Sequence, residues 1–453
     1  MNDRVFTEYS VPRAVFTMAV PTMLSMLVTV FYNLADTFFV GQTGDPYQVA
    51  AVSLCSPYFL IFTALANIFG QGGTSCISRA LGQGDMNKVK HFSAFAFYGA
   101  IFAGIILAAI TLIIINPLLG LLGCSENTFT PAKDYLSVIA YGGCFVTLSN
   151  TLSNLARAEG DAKSSMAGMI LGTVVNIILD PIMILVLNMG VTGAALATNI
   201  GNIAATIYYI IHLRRSNTRL SMSPADFTLK SEISIGLLSI GIPAFISNIL
   251  MSGASIIYNN YVASYGDNPV AGMGIAQRAN MVVFMLQMGL AIGISPLVGF
   301  SYGSRNLEKL KNVLKFSSLC TFILGSVLTL IFCIFTRQIV WAFIQDEEVV
   351  KYGVEMLRAF MISGPLIGLM FVFEFTFQAM GKAKAALVLS LSRQGFVFLP
   401  VLIILNRAFG LDGIIYTQSI ADIASLIMSF LMFVFIFKKL KQEYEIGGEI
   451  VHD

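Results

Sequence analysis

The chain has 453 residues, of which 56% are hydrophobic and only 11% are charged, and its mean hydropathy is +0.78. Because so little polar side chain cannot cover a water-soluble globule, the composition excludes the soluble classes and predicts an integral membrane protein. The formal net charge of +2 says less than the distribution of charges along the chain.

Apolar stretches of about 20 or more residues recur along the whole sequence, each long enough to cross a hydrocarbon core of roughly 30 Å as an α-helix. They are continuously apolar and do not alternate with polar residues, which favours helices over the strands of a membrane β-barrel. The predicted spans are 15–40, 51–79, 91–116, 132–156, 164–188, 191–213, 236–264, 270–300, 313–336, 352–380, 386–406 and 414–437.

Basic residues collect in alternate loops between these spans. Of the 27 Lys and Arg residues, 20 fall on one side of the predicted topology, and only Lys133, Arg337, Lys351 and Arg407 fall on the other. This alternation is the positive-inside pattern, so it predicts cytoplasmic termini and argues against a nucleic-acid-binding surface. The first apolar segment is too long for a signal peptide, and we expect it to remain as the first span.

The sequence offers little for catalysis or for a cofactor. The six cysteines lie mostly within the spans without a CxxC pair, and the three histidines lie at loops or ends. A disulfide framework or a Cys/His metal site is therefore not expected. Because HExxH, GxSxG and P-loop patterns are also absent from the sequence, we expect a protein that is not an enzyme and has no cofactor.

An internal repeat relates the two halves. The segment "RALGQGDMNKVKHFSAF" from Arg79 aligns with "FSYGSRNLEKLKNVLKF" from Phe300 at an offset of 221, and further segments correspond in the same order within about two residues of it. Six spans per half is an even number, so both halves enter the bilayer from the same side. The predicted fold is an all-α membrane protein with two six-helix bundles related by a pseudo-twofold axis along the membrane normal. The predicted domains are an N-terminal lobe 1–213, a cytoplasmic linker 214–235, a C-terminal lobe 236–442 and a cytoplasmic tail 443–453.

Several short motifs occur in a specific order across the twelve spans. They are "VPTMLSMLVTVFYNLADTFFVG" in the first span, "RALGQGD" closing the second, "ARAEGDAK" before the fifth and "NIILDP" within it. Together they resemble the multidrug and toxic compound extrusion (MATE) transporters over nearly the whole chain, and the details are similar to the MepA-like bacterial branch. The resemblance implies a secondary active antiporter of the bacterial inner membrane. It would export lipophilic, mostly cationic drugs in exchange for H⁺ or Na⁺ by alternating access, as a monomer in contact with membrane lipid and without nucleic acid.

Asp36 is an acid inside an apolar helix, where an ionised carboxylate costs about 2.5 to 3.5 kcal/mol. With a rise of 1.5 Å per residue, Asp36, Asp180 and Thr198 lie at similar depths in the outer half of the first lobe, and Asn176 lies one turn from Asp180 on the same face. The resemblance implies that these four form the cation or proton site, with Na⁺ as one candidate occupant. A purely structural hydrogen bond between the two aspartates remains the alternative. Two neighbouring carboxylates in a low dielectric also favour at least one bound proton near neutral pH.

Two prolines within the spans are candidate sites of helix bending. Pro21 lies in the first span, and Pro181 directly follows Asp180. Pro181 cannot donate to the carbonyl of Ile177, so that acceptor needs another partner in the membrane. If the drug and the coupling ion both need the same negative charge, or the same bent or straight state of the first helix, they exclude each other.

The two acids within the spans of the first half, Asp36 and Asp180, have no counterparts in the second half. Asp36 aligns with Tyr258, and Asp180 aligns with Leu399. Glu374 and Arg393 both lie near the inner ends of their spans, where they can pair in a mainly structural role, with direct contact to a ligand as the alternative.

A lipid-linked oligosaccharide flippase of related fold remains the alternative function, although its cavity should carry several arginines for pyrophosphate. A channel would need no coupling acids.

The residues that contact a substrate can be suggested only from the helix face and the membrane depth at which they lie. The candidate residues of the substrate cleft are Asn33, Met251, Tyr258, Gln287 and Met288.

Overall fold

The computed structural model describes residues 4–215 and 218–449, and its regular structure there is helical. Twelve helices in these ranges are long and apolar enough to cross a membrane, which confirms the number and approximate positions of the predicted spans. They are α1 Val11–Gly41, α2 Pro46–Gln83, α3 Met86–Ile113, α4 Glu126–Ala158, α5 Ala162–Val186, α6 Gly190–Arg215, α7 Ser231–Ala263, α8 Asp267–Gly303, α9 Leu307–Ile334, α10 Glu347–Ala379, α11 Ala383–Phe409 and α12 Leu411–Glu449.

Most of these helices extend several residues beyond the predicted spans. Their first turns are fixed by polar caps, with Asp45, Asp85 and Asp161 each accepting a hydrogen bond from a backbone N–H of the helix that follows. Ser125 forms a reciprocal capping box with Thr128 at the start of α4. Hydropathy marks only the apolar part of a helix, whereas the cap marks its end, so the predicted spans were too short.

The chain forms two compact units. The first contains the described residues up to Tyr9 together with Leu24–Phe245, and the second contains Ser10–Met23 together with the described residues from Ile246 onward. Helices α1 and α7 are therefore each divided between the units. Pro21 and Pro243 lie just before these two divisions, where each proline removes a backbone donor from its helix.

Both units contain the same irregular elements. A short helix follows the third span of each unit, Ile115–Leu121 in the first and Thr336–Trp341 in the second. Helix α5 widens into a π-turn at Ile182–Val186, and α11 does so at Ser392–Phe396. The internal repeat thus extends to elements that hydropathy cannot detect.

The predicted linker is bound to the first unit by specific contacts. The Glu159 carboxylate, at the end of α4, accepts hydrogen bonds from the Thr218 hydroxyl and from the backbone N–H of Arg219. Tyr98 donates its hydroxyl to the carbonyl of Met222, and Phe227 stacks on Phe95 with ring centroids 6.1 Å apart. Residues 216 and 217 of the predicted linker, and 450–453 of the predicted tail, lie outside the described residues. Residues 218–227 form an ordered strap on the first half of α3 and the end of α4, whereas 214–215 belong to α6 and 231–235 to α7.

Replacement of Glu159 tests how this strap is held. Burial raises the pKa of the Glu159 carboxyl above its ordinary value. A raised pKa in the folded state means that the contribution of this group to stability is largest at acidic pH and is lost as pH rises. Glu159→Gln keeps an acceptor but no charge, so we expect its melting temperature relative to wild type to increase between about pH 4 and pH 7.

The control is Glu159→Ala, which leaves the N–H of Arg219 without its acceptor. It should destabilise the protein by about 1 to 3 kcal/mol at both pH values. Thermal unfolding of the purified chains at the two pH values measures both effects. Parallel pH dependence for wild type and Glu159→Gln would contradict the expectation.

Candidate cation site in the first unit

Helices α1, α5 and α6 bring the four predicted site residues together within the first unit. Asn176 and Asp180 lie one turn apart on α5, and the Asn176 amide donates to Asp180 Oδ1 at 3.3 Å. The same amide nitrogen lies 3.5 Å from Thr198 Oγ1 on α6. Asp180 is completely buried, and Asn176 and Thr198 are nearly so. Asp36 on α1 lies close enough for its charge to act on Asp180.

Two tyrosines belong to the same cluster and were missed by the sequence analysis. The hydroxyl of Tyr32 lies 3.1 Å from Thr198 Oγ1, and the charges of Asp36 and Asp180 both act on it. The charges of both carboxylates also act on Tyr135 of α4. The spacing of Tyr32, one helical turn before Asp36, was the available signal.

Three oxygens of this cluster are buried and have no hydrogen-bond partner among the described residues. They are Asp36 Oδ1, Asn176 Oδ1 and Asp180 Oδ2. All three are acceptors, and an acceptor buried without a donor costs free energy. The cluster therefore has more hydrogen-bond acceptors than donors, and a proton or a cation would satisfy the acceptors that remain. Carboxylate, amide and hydroxyl oxygens suit a proton shared between the acids or a hard cation such as Na⁺.

The backbone beside Asp180 is irregular because of Pro181. This proline has no N–H to donate to the carbonyl of Ile177, and the helix then widens into its π-turn. The turn is closed by the N–H of Leu187, which donates to the carbonyl of Ile182 at 2.9 Å. Irregular helical backbone next to a buried acid is frequent at functional positions.

Two glycines allow α5 and α6 to come close enough for Asn176 to reach Thr198. A Cβ added to Gly201 would lie 2.6 Å from the carbonyl oxygen of Gly172 and 3.2 Å from the Cβ of Asn176. A Cβ on Gly172 would similarly lie 2.9 Å from the carbonyl oxygen of Gly201. Any larger residue at either position must separate the two helices.

The five residues predicted to line a substrate cleft occupy different environments. Met251 and Tyr258 line a cavity inside the second unit, where the Tyr258 hydroxyl donates to the carbonyl of Ile414. Gln287 is fully buried and donates to the carbonyl of Gly364. Asn33 is exposed, and Met288 is half-buried. Their contact with a substrate stays a prediction.

The expected partner of Arg393 was wrong. Arg393 Nε donates to Asp422 Oδ1 at 2.9 Å, and both side chains are buried. Glu374 instead accepts a hydrogen bond from the Ser390 hydroxyl at 2.6 Å. The sequence suggested the pair with Glu374 only because both residues lie near the inner ends of their spans, and a shared depth does not determine which acid an arginine contacts.

Comparison with known proteins gives a consistent result. The model of the MatE family matches residues 21–182 and 243–404, one match in each half of the sequence. The multidrug export protein MepA of Staphylococcus saprophyticus is 33% identical over 417 residues, which is 92% of each chain. MepA of Staphylococcus haemolyticus shows the same identity and coverage.

Solved structures are similar over almost the whole chain. One is described as the outward-facing conformation of a multidrug resistance MATE family transporter of the MOP superfamily. It has a TM-score of 0.93 at 26% identity, covering 97% of this chain and 99% of that one. A MATE crystal structure in the bent conformation has a TM-score of 0.92 at 26% identity, covering 98% and 99%.

Proposed function

This chain belongs to the MatE family, and we propose that it is a secondary active exporter of lipophilic, mostly cationic compounds in exchange for H⁺ or Na⁺. The observation that carries the proposal is the set of three buried, unpartnered acceptor oxygens on Asp36, Asn176 and Asp180. The name of the MepA relatives, multidrug export protein, supports the choice of substrate. Helix α1 belongs to the second unit up to Met23 and to the first unit from Leu24 onward, which supports a role for this helix in alternating access.

In this proposal, a cation from outside the cell neutralises the acids of α1 and α5. With a proton, Asp36 or Asp180 becomes a donor that can satisfy a neighbouring acceptor, whereas Na⁺ would be held by the oxygens of Asp36, Asn176, Asp180 and Thr198. Neutralisation removes the charge that attracts a cationic drug, so ion and drug exclude each other. Each charge moved down a membrane potential of 100 mV contributes about 2.3 kcal/mol to export.

The cellular location and the orientation in the membrane are part of the same proposal. The twelve long apolar helices belong to a multi-pass membrane protein. We place it in the bacterial inner membrane with both termini in the cytoplasm, because the basic loops follow the positive-inside pattern. The proposed exporter acts as a monomer, needs no cofactor and carries out no catalysis.

Dye accumulation in cells tests this function. Cells that express wild type should accumulate less ethidium than cells with an empty vector, whereas cells that express Asp36→Asn should accumulate as much as the empty-vector cells. Equal membrane levels of both chains, measured by immunoblot, are the control. If Asp36→Asn lowers ethidium as much as wild type does, Asp36 has no part in the mechanism.

A further inference from the structure

A cavity of about 150 Å³ lies inside the second unit and is lined by residues of α7, α8, α10, α11 and α12. Its wall combines aromatic rings, such as Phe284, Phe360 and Phe398, with the charged pair Arg393 and Asp422. Four amide side chains from three of these helices also face it. A buried ion pair beside empty space is unusual within a membrane, where charged side chains mark ligand or ion pathways.

The carboxylate of Asp422 already has its partners. Oδ1 accepts hydrogen bonds from Arg393 Nε and from Gln418 Nε2, each at 2.9 Å. Oδ2 accepts the hydroxyl of Ser363 at 3.0 Å. With both oxygens bonded, Asp422 positions the arginine and has little capacity left for a cationic ligand.

The guanidinium of Arg393 has unused donors. It uses only Nε in its bond to Asp422, and neither Nη1 nor Nη2 has a hydrogen-bond partner in the part of the chain that the structure describes. The rings of Phe284 and Phe371 lie 5.5 and 5.3 Å from its central carbon and restrict its plane. The charge of Glu374 also acts on Arg393, but Glu374 accepts its hydrogen bond from Ser390. The end of the guanidinium formed by Nη1 and Nη2 is therefore held in place without a hydrogen-bond acceptor.

The π-turn of α11 explains why Arg393 reaches the cavity. In a regular helix, adjacent side chains project about 100° apart, yet Arg393 and the next residue, Gln394, both line this space. The wide turn Ser392–Phe396 contains both residues. Such insertions in α-helices are frequent at functional sites because they redirect side chains.

We propose that this cavity binds the carboxylate of an aromatic acid, with Nη1 and Nη2 of Arg393 as the bidentate donors. The planar fork of arginine matches a carboxylate, and charge-assisted pairs of this kind are the strongest hydrogen bonds in proteins. The aromatic wall accommodates the ring to which the carboxyl group is attached. Because drug-sized ligands need cavities of about 300 to 1,000 Å³, this one takes the acid-bearing ring rather than a whole drug.

The inference extends the proposed function, on which its meaning for transport rests. The acids of the first unit favour cationic groups, whereas Arg393 favours an anionic one. Binding itself needs no transport and can be measured separately.

The probes are 2-naphthoate and its uncharged isostere 2-naphthamide, added to the full chain in lipid nanodiscs. Equilibrium dialysis with naphthalene fluorescence measures binding, and empty nanodiscs give the background. Wild type should bind the acid at least tenfold more tightly than the amide. The double variant Arg393→Gln/Asp422→Asn, which removes both charges of the pair, should lose this preference.

Two further variants make the test specific. Arg278→Gln removes an exposed arginine of α8 outside the cavity lining and should keep the preference for the acid. Asp422→Asn removes the competing charge, and its amide oxygen can still accept the hydrogen bond from Arg393 Nε that positions the guanidinium. It should therefore bind 2-naphthoate more tightly. Equal binding of acid and amide by wild type, an unchanged preference in the double variant or weaker binding by Asp422→Asn would overturn the proposal. Because the readout is binding, a chain that prefers the acid but exports no ethidium would refute the export function and leave this site standing.

Discussion

Asp180→Asn is expected to abolish ion-driven transport in proteoliposomes. Asp180 is completely buried, and its Oδ2 has no partner among the described residues, so this acid needs a proton or a cation. The asparagine has nearly the same shape but cannot bind a proton or neutralise a cation. Transport of ethidium driven by an imposed pH or Na⁺ gradient should fall to the rate of empty liposomes.

The same assay separates the two coupling ions. Wild type should respond to the pH gradient if a shared proton occupies the cluster, and to the Na⁺ gradient if the oxygens hold a sodium ion. Asp134→Asn removes an exposed acid from α4 and should transport at the wild-type rate. Transport by Asp180→Asn at the wild-type rate would show that this acid only holds helices together.

The cluster of Asp36, Asn176, Asp180 and Thr198 could be predicted from the sequence because an acid within a membrane span is costly. That cost singled out Asp36 and Asp180, and the helical rise placed Asn176 and Thr198 at a similar depth. The structure does bring Asn176, Asp180 and Thr198 into one hydrogen-bonded group. Tyr32 was not predicted, since a tyrosine in a span is equally compatible with a lipid-facing or packing role.

Other features depend on information that hydropathy does not carry. The helix ends are set by caps such as Asp45, which lie outside the apolar stretch. Arg393, which pairs with Asp422, lies in a π-turn, and no local sequence pattern predicted that turn. Tyr258 aligns with Asp36, yet its hydroxyl is occupied by the carbonyl of Ile414. The repeat therefore preserves the positions of helices in each half but not the chemistry at matching positions.

Arg393→Ala is expected to destabilise the protein by about 3 to 5 kcal/mol, because it leaves Asp422 as a buried charge without its cation. Gln418 and Ser363 would still donate to the carboxylate, but neither supplies a positive charge. The double variant Arg393→Gln/Asp422→Asn removes both charges and should unfold at a temperature much closer to that of wild type. Breaking a buried pair costs more than removing it, because the remaining charge stays out of water.

Thermal unfolding in detergent, followed by the loss of the monodisperse peak in size-exclusion chromatography, measures the difference. The control Arg278→Gln removes an exposed arginine from the same unit and should leave the melting temperature nearly unchanged. A double variant as unstable as Arg393→Ala would mean that Arg393 acts through packing against Phe284 and Phe371 rather than through charge. In that case its guanidinium would be a structural element of the core, and the cavity beside it would lose the fixed donor that the acid requires.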